Sequence, residues 1–106
     1  MSDSIFTKII KRQAPADIIY EDDKVISIYD IKPNQPGRFL IIPKSPETNI
    51  LENSEEDFLY AMKIARKLAA EYIKKNNCSG FKLVINTGQT NGQVVFHTHI
   101  HIIPYK

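Results

Sequence analysis

The 106-residue sequence has one cysteine, three histidines and no apolar run near the roughly 20 residues needed to span a bilayer. The lone Cys78 cannot close an internal disulfide, and it belongs to no cysteine pair of the metal-binding kind. The N-terminal MSDSIFTKIIKRQ lacks the apolar core and cleavage site of a secretion signal. A reduced, cytoplasmic setting is therefore expected, with no membrane partner. Excess charge is also scarce: fourteen basic against twelve acidic side chains leave +2. That is too little to imply nucleic acid, although a single anionic ligand needs only local donors. Repeats, low-complexity tracts and long Pro/Gly/Ser linkers are missing, so one domain over residues 1–106 is expected.

What is present suffices for a real core: 42% of the residues are apolar and 25% charged. Ser4 to Lys11 reads as a short helix with Phe6, Ile9 and Ile10 on one side, stopped before Pro15. Asp17 to Glu21 and Lys24 to Tyr29 read as a hairpin around an acidic turn. DIKPNQPG is a loop, and Arg38 to Pro43 a buried strand closed by proline. Ser54 to Asn76 is the clearest element. Ser54 and Asp57 form a variant capping box, and Phe58, Met62, Ala65, Ala69 and Tyr72 recur at helical spacing. FKLVIN and HTHIHIIP are strands flanking the loop TGQTNGQ. The order α-β-β-β-α-β-β indicates an α+β domain on a mainly antiparallel sheet.

All three histidines fall in F-H-T-H-I-H-I-I-P, at positions 97, 99 and 101. Successive strand side chains point to opposite faces, so His97, His99, His101 and Ile103 share one face and Thr98, Ile100 and Ile102 the other. The apolar face suits burial against the long helix, and the imidazoles are expected in a row about 7 Å apart. Neighbouring imidazoles resist joint protonation, and packing alone does not select such a row. Two chemistries fit: a metal site, or nucleophilic catalysis by the central ring. The preceding N-T-G-Q-T-N-G-Q carries two glycines and two amides but no carboxylate or thiol. Glycine-rich turns aim N–H groups at phosphate oxygens, whereas a metal site would recruit Asp, Glu or Cys. Phosphate beside histidine points to phosphoryl or nucleotidyl chemistry, with no metal and no cofactor.

The sequence resembles the histidine triad (HIT) proteins, and among them the nucleotide-binding branch close to the HINT proteins. The motifs are I-F-T-K-I-I, P-A-D-I-I-Y-E-D-D, Y-D-I-K-P-N-Q-P-G, F-L-I-I-P-K, the N-T-G loop and G-Q-V-V-F-H-T-H-I-H-I-I-P, in the right order along nearly the whole chain. The resemblance implies a five-stranded mainly antiparallel sheet with one short N-terminal and one long central helix, usually a homodimer. It implies a hydrolase that binds purine nucleoside monophosphates and cleaves nucleoside 5′-phosphoramidates through a nucleotidyl-histidine. Carried over, His99 is the nucleophile, His101 contacts the phosphate and His97 supports the central ring. Asn86 and the backbone around Gly92, Gln93 and Val94 hold phosphate oxygens, and Asp30 accepts the ribose hydroxyls. Phe6, Ile9, Ile28, Tyr29, Ile31 and Leu40 wall the base.

Departures are also visible. Many relatives have histidine where Arg38 stands, and several have a hydroxyl where Val94 stands. Some bacterial relatives build a zinc site partly from N-terminal cysteines, which Thr7 and the missing thiols do not supply. The chain stops at Lys106, where longer tails of relatives lie near the site, so leaving-group selectivity stays open. Dinucleoside polyphosphate hydrolysis, a nucleotide-binding protein with little turnover, and a metal protein using the three histidines are the alternatives.

Overall fold

The computed structural model describes residues 4–30, 37–93 and 95–106. Ser4 opens the first helix by accepting the Thr7 backbone N–H, and α1 (Ile5–Ile10) buries Phe6 and Ile9. The hairpin forms as expected from β1 (Ile18–Glu21) and β2 (Val25–Tyr29), and β3 (Phe39–Pro43) is buried at every position. The long helix is α2 (Glu55–Lys75), with the Ser54 side chain accepting the Asp57 N–H and three acidic residues in the first turn, where they complement the helix dipole. Then come β4 (Gly80–Val84), a 3-10 turn at Gln89–Asn91 and β5 (Ile100–Tyr105). The five strands form one antiparallel sheet in the order β1-β2-β3-β5-β4.

Alternation along these strands separates two cores. Val25, Phe39, Ile41, Ile100 and Ile102 face α2, where they meet Ala61, Ile64, Ala65, Leu68 and Ala69. Ile26, Ile28, Leu40 and Ile42 face the other way and are capped by Phe6 and Ile9 of α1. Burying one such isoleucine stabilises by about 1.5–3 kcal/mol. The buried stripe of α2 is offset from the expected one. Ala65 and Ala69 are shared, whereas Phe58, Met62 and Tyr72 are half-buried flanks. Alanine at every fourth position, 61, 65 and 69, lets the helix axis approach the sheet closely.

Two further expectations are corrected. FKLVIN leaves the sheet after Val84, and the last strand starts at Ile100 rather than His97. The reason lies in the backbone partners of that segment: the Thr98 N–H donates to Glu47 O, and the His97 carbonyl accepts from the His99 ring. Those groups are thereby drawn away from any strand ladder. No helix among the described residues is long and apolar enough to cross a membrane.

Gly37 starts the turn into β3. Its φ is +89°, and an added Cβ would lie 2.3 Å from the Tyr72 hydroxyl, so a side chain there would strain the backbone and force Tyr72 to shift. The next residue, Arg38, is thereby delivered to the edge of the α1 side.

Candidate active site

The site lies on the α1 side of the sheet. Register places Ile28, Leu40, His101 and Val84 in one row across β2, β3, β5 and β4. His101 therefore belongs to the same face as the α1 core, while Ile100 and Ile102 face α2, as alternation requires. The Phe6 ring stands edge-on to His97 and His99, with centroids 6.1 and 4.8 Å away. His99 and His101 are closer than a straight strand would hold them, their centroids 4.8 Å apart instead of the expected spacing. The kink before Ile100 folds the first ring toward the second.

Each imidazole has a different environment. His97 is buried and satisfied at both nitrogens. Its Nε2 lies 2.7 Å from Pro43 O, which can only accept, so Nε2 carries the proton. Its Nδ1 then accepts from the Thr7 hydroxyl at 3.2 Å, while the Ser4 hydroxyl, 3.3 Å from the same nitrogen, donates to Thr7 Oγ1 at 3.2 Å. His99 Nδ1 donates to the His97 carbonyl at 2.7 Å, so the lone pair of the neutral ring resides on Nε2. That Nε2 makes no hydrogen bond to any described residue. His101 Nδ1 is buried without a partner.

Burial favours the neutral form of all three rings. The His97 pKa is lowered mainly by desolvation and further by His99, against the Pro43 bond and Glu47. That of His99 is lowered by desolvation, against its bond to His97 and the Asp30 charge. His101 is pushed down to about 4 by burial, then by His99 and Arg38, with Asp30 opposing. At neutral pH the row consists of uncharged imidazoles.

Asp30 directly follows β2, and its N–H donates to Arg38 O at 3.1 Å. Its negative charge acts on both His99 and His101, so it stands at the same site. An open cleft of about 540 Å³ beside it is lined by Ile5, Ala14, Pro15, Ala16, Asp17, Tyr29 and Asp30. This changes the composition of the expected base pocket. Phe6, Ile9, Ile28 and Leu40 are brought together, but with 6%, 1%, 0% and 5% of their surface exposed they are core beneath the site. Tyr29 ends β2, exposed, and also borders a cleft on the α2 side with Phe39 and Tyr72. Ile31 and Val94 lie outside the described residues.

The glycine loop also differs from expectation. The Gly92 N–H bonds Gln89 O and the Gln93 N–H bonds Gly88 O, each at 3.2 Å, so both donors close the loop on itself. Gln93 is buried, and its side chain is a brace: Oε1 accepts from Gly88 N at 2.8 Å, and Nε2 donates to Thr48 O at 2.6 Å and Val95 O at 3.1 Å. Asn86 lies two residues past Val84, the partner of His101, beyond the end of β4. Its half-buried side chain makes no hydrogen bond to a described residue.

Sequence reasoning missed Ser4, Thr7 and the Pro43 carbonyl as partners of His97. Hydroxyls at a helix start are ordinary caps, and nothing local ties them to a ring some 90 positions away. Among the described residues no group of three or more His, Cys, Asp or Glu side chains could hold a metal ion. His97 in particular has both nitrogens engaged.

The HIT domain profile matches residues 11–106. A HIT-like protein of Mesomycoplasma hyorhinis is 48% identical over 103 residues, 97% of this chain and 93% of that protein. A HIT family hydrolase from Clostridium thermocellum superposes with a TM-score of 0.84 at 36% identity, over 100% of this chain and 93% of the other. A hypothetical histidine triad nucleotide-binding protein from Sulfolobus tokodaii superposes at 0.91 with 35% identity, over 94% and 67%. With its fold, its three imidazoles on one side of the sheet and these likenesses, the chain belongs to the HIT domain family.

Proposed function

We propose that this protein is a nucleotidyl hydrolase that cleaves purine nucleoside 5′-phosphoramidates through His99. One observation carries the reading: the His99 ring is held by Nδ1 to the His97 carbonyl, leaving an unprotonated Nε2 without a partner among the described residues, next to His101. A neutral ring with its lone pair fixed in direction is a competent nucleophile toward phosphorus. His97, clamped between Pro43 O and the Thr7 hydroxyl with Ser4 behind it, holds the carbonyl that orients it.

In the first step Nε2 bonds to the α-phosphorus and the leaving group departs. In the second, water attacks phosphorus and the electron pair returns to Nε2. In this reading Asn86 and His101 contact the phosphoryl oxygens, Asp30 accepts ribose hydroxyls, and the cleft lined by Ile5, Ala16 and Asp30 receives the base. Val94 and Ile31 keep the roles that the resemblance assigns to them. The names borne by the Clostridium thermocellum and Sulfolobus tokodaii proteins support hydrolysis and nucleotide binding respectively. The homodimer belongs to the same reading, and the edge position of β4 with Phe81 exposed leaves a surface for it. So does a cytoplasmic location.

The test is turnover of a fluorogenic adenosine 5′-phosphoramidate by the protein and by His99→Ala. Equal rates would remove His99 as nucleophile. A second reading, nucleotide binding with little turnover, is favoured by the inward-turned Gly92 and Gln93 donors, which leave fewer N–H groups for a transition-state oxyanion. Tight AMP binding with no hydrolysis of any phosphoramidate would establish it. Dinucleoside polyphosphates are the further substrate class to include in the panel.

A further inference from the structure

We propose that Arg38 is a specificity-determining residue that binds an oxyanion carried by the leaving group, a carboxylate or a phosphate next to the scissile bond. The proposal rests on the reading of His99 as nucleophile. Arg38 lies one residue before β3, and the pairs Phe39–Ile102 and Leu40–His101 set it on the histidine face beside His101. The ring row from His99 to His101 thus ends at a guanidinium. Its Nε is buried without a hydrogen-bond partner, and no ion pair to it occurs among the described residues. Next to it, His101 Nδ1 is likewise buried and unbonded.

A buried unpaired donor carries a desolvation cost that an arriving acceptor removes. The Arg38 guanidinium, a planar cationic fork whose charge acts on His101, matches the paired oxygens of a carboxylate or phosphate. A group bonded to phosphorus on the side of His101 is directed toward Arg38, because the His99 and His101 rings are 4.8 Å apart at their centroids and the register sets Arg38 beyond them on the same face. The same arrangement supplies charge without supplying acid. A guanidinium does not release its proton, and His101 is held neutral. When the P–N bond of an amide breaks, its electron pair goes to nitrogen, which takes a proton from water. The attacking water later returns one proton to solvent. Arg38 contributes by holding the acidic group of the departing amine.

The experiment compares two adenosine 5′-phosphoramidates that differ in one charge, the amides of glycine and of glycinamide. The wild type is expected to favour the glycine compound in kcat/KM by on the order of tenfold or more. Arg38→Gln should bring the ratio to about one, and Arg38→Lys should keep part of it. A wild-type ratio of one, or a ratio unchanged in Arg38→Gln, overturns the proposal. Activity lost equally on both compounds does so too, since Arg38 would then act on the common part. The phosphate source is tested by calorimetry with α,β-methylene-ADP against AMP, whose readout needs no turnover. Tighter binding of the diphosphonate by wild type but not by Arg38→Gln supports the contact even if neither amide is hydrolysed. Equal affinities in the wild type end the phosphate form of it. If the amides fail and the calorimetric preference remains, the fault lies with the assignment of His99, not with Arg38.

Discussion

The two faces of the sheet are built to different ends. On the α2 side small and branched apolar residues close a core, and Ser27 and Asp22 there are bonded, although Asn53 Nδ2 is buried without a partner among the described residues. Ser27 donates to Leu40 O at 2.8 Å. Asp22 accepts from Lys24 N at 2.8 Å, Val25 N at 2.9 Å and Tyr20 Oη at 2.8 Å, and also from the Tyr60 hydroxyl on α2. On the α1 side the core is thinner, and polar nitrogens above it lack partners among the described residues: His101 Nδ1, Arg38 Nε and His99 Nε2. Two of the unpartnered nitrogens, on His101 and Arg38, belong to the histidine face, where the proposed ligand would complete them. Unsatisfied buried groups cost stability, so they are retained where a bound molecule completes them.

Substitutions on each face should separate stability from turnover. His99→Ala should have the largest effect, lowering phosphoramidate turnover by about 10³-fold or more while the urea midpoint changes little. Steady-state assays alongside urea titration would show this, and a parallel loss of both would erase the contrast between the faces. Ile41→Ala on the α2 side should do the reverse. It empties a fully buried position, costs about 2–5 kcal/mol in urea unfolding, and leaves kcat per folded molecule as it was.

Asp22→Ala sharpens the same contrast through pH. The hydrogen bonds from Tyr60, Lys24, Tyr20 and Val25 hold Asp22 at about 2 despite opposing desolvation, below its ordinary 3.8. Its folded-state pKa is depressed, so its contribution is present above pH 4 and is lost as pH falls toward 2. The substitution should cost about 1–2 kcal/mol at pH 7 and much less at pH 2.5, measured by thermal or urea unfolding.

The histidine face has a linkage of its own. The three rings titrate below their ordinary 6.5, so as pH falls below that value the unfolded chain takes up protons that the folded one resists. Stability should therefore decline below pH 6.5, for His101 until its folded value near 4 is reached. Replacing His101 with Gln should flatten that slope in unfolding titrations. The smallest effect should come from Thr7→Val. Ser4 remains at 3.3 Å from His97 Nδ1, so kcat should fall by less than about threefold. Ser4→Ala combined with Thr7→Val should lower kcat by about tenfold, with a shifted acid limb in the pH–rate profile.

Much of this was readable beforehand because it depends on period and punctuation. The helix from Ser54, the acidic hairpin turn and the strand after Arg38 announce themselves through capping, spacing and proline. The separation of Ile100 and Ile102 from His101 follows from strand alternation alone. What failed was any inference needing a partner far along the chain. His97 was aligned with its neighbours but not with Ser4 and Thr7, and Gly92 and Gln93 were offered to phosphate although their N–H groups close the loop. Phe6 and Leu40 could not be told apart from pocket walls, because a buried apolar residue and a ligand-facing one have the same chemistry until exposure is known.

The order of the residues alone determined that His101 would stand opposite Ile100 and Ile102, since alternation along an extended chain is a local rule, whereas His97 and His99, outside the strand, reach the same side through the fold. Only the folded arrangement decided which nitrogen of each ring is occupied. That depends on a carbonyl from β3, two hydroxyls from α1 and a kink that brings His97 O to His99. Tautomer and reactivity are properties of hydrogen-bond partners, and partners distant in sequence meet only when the chain has closed around them.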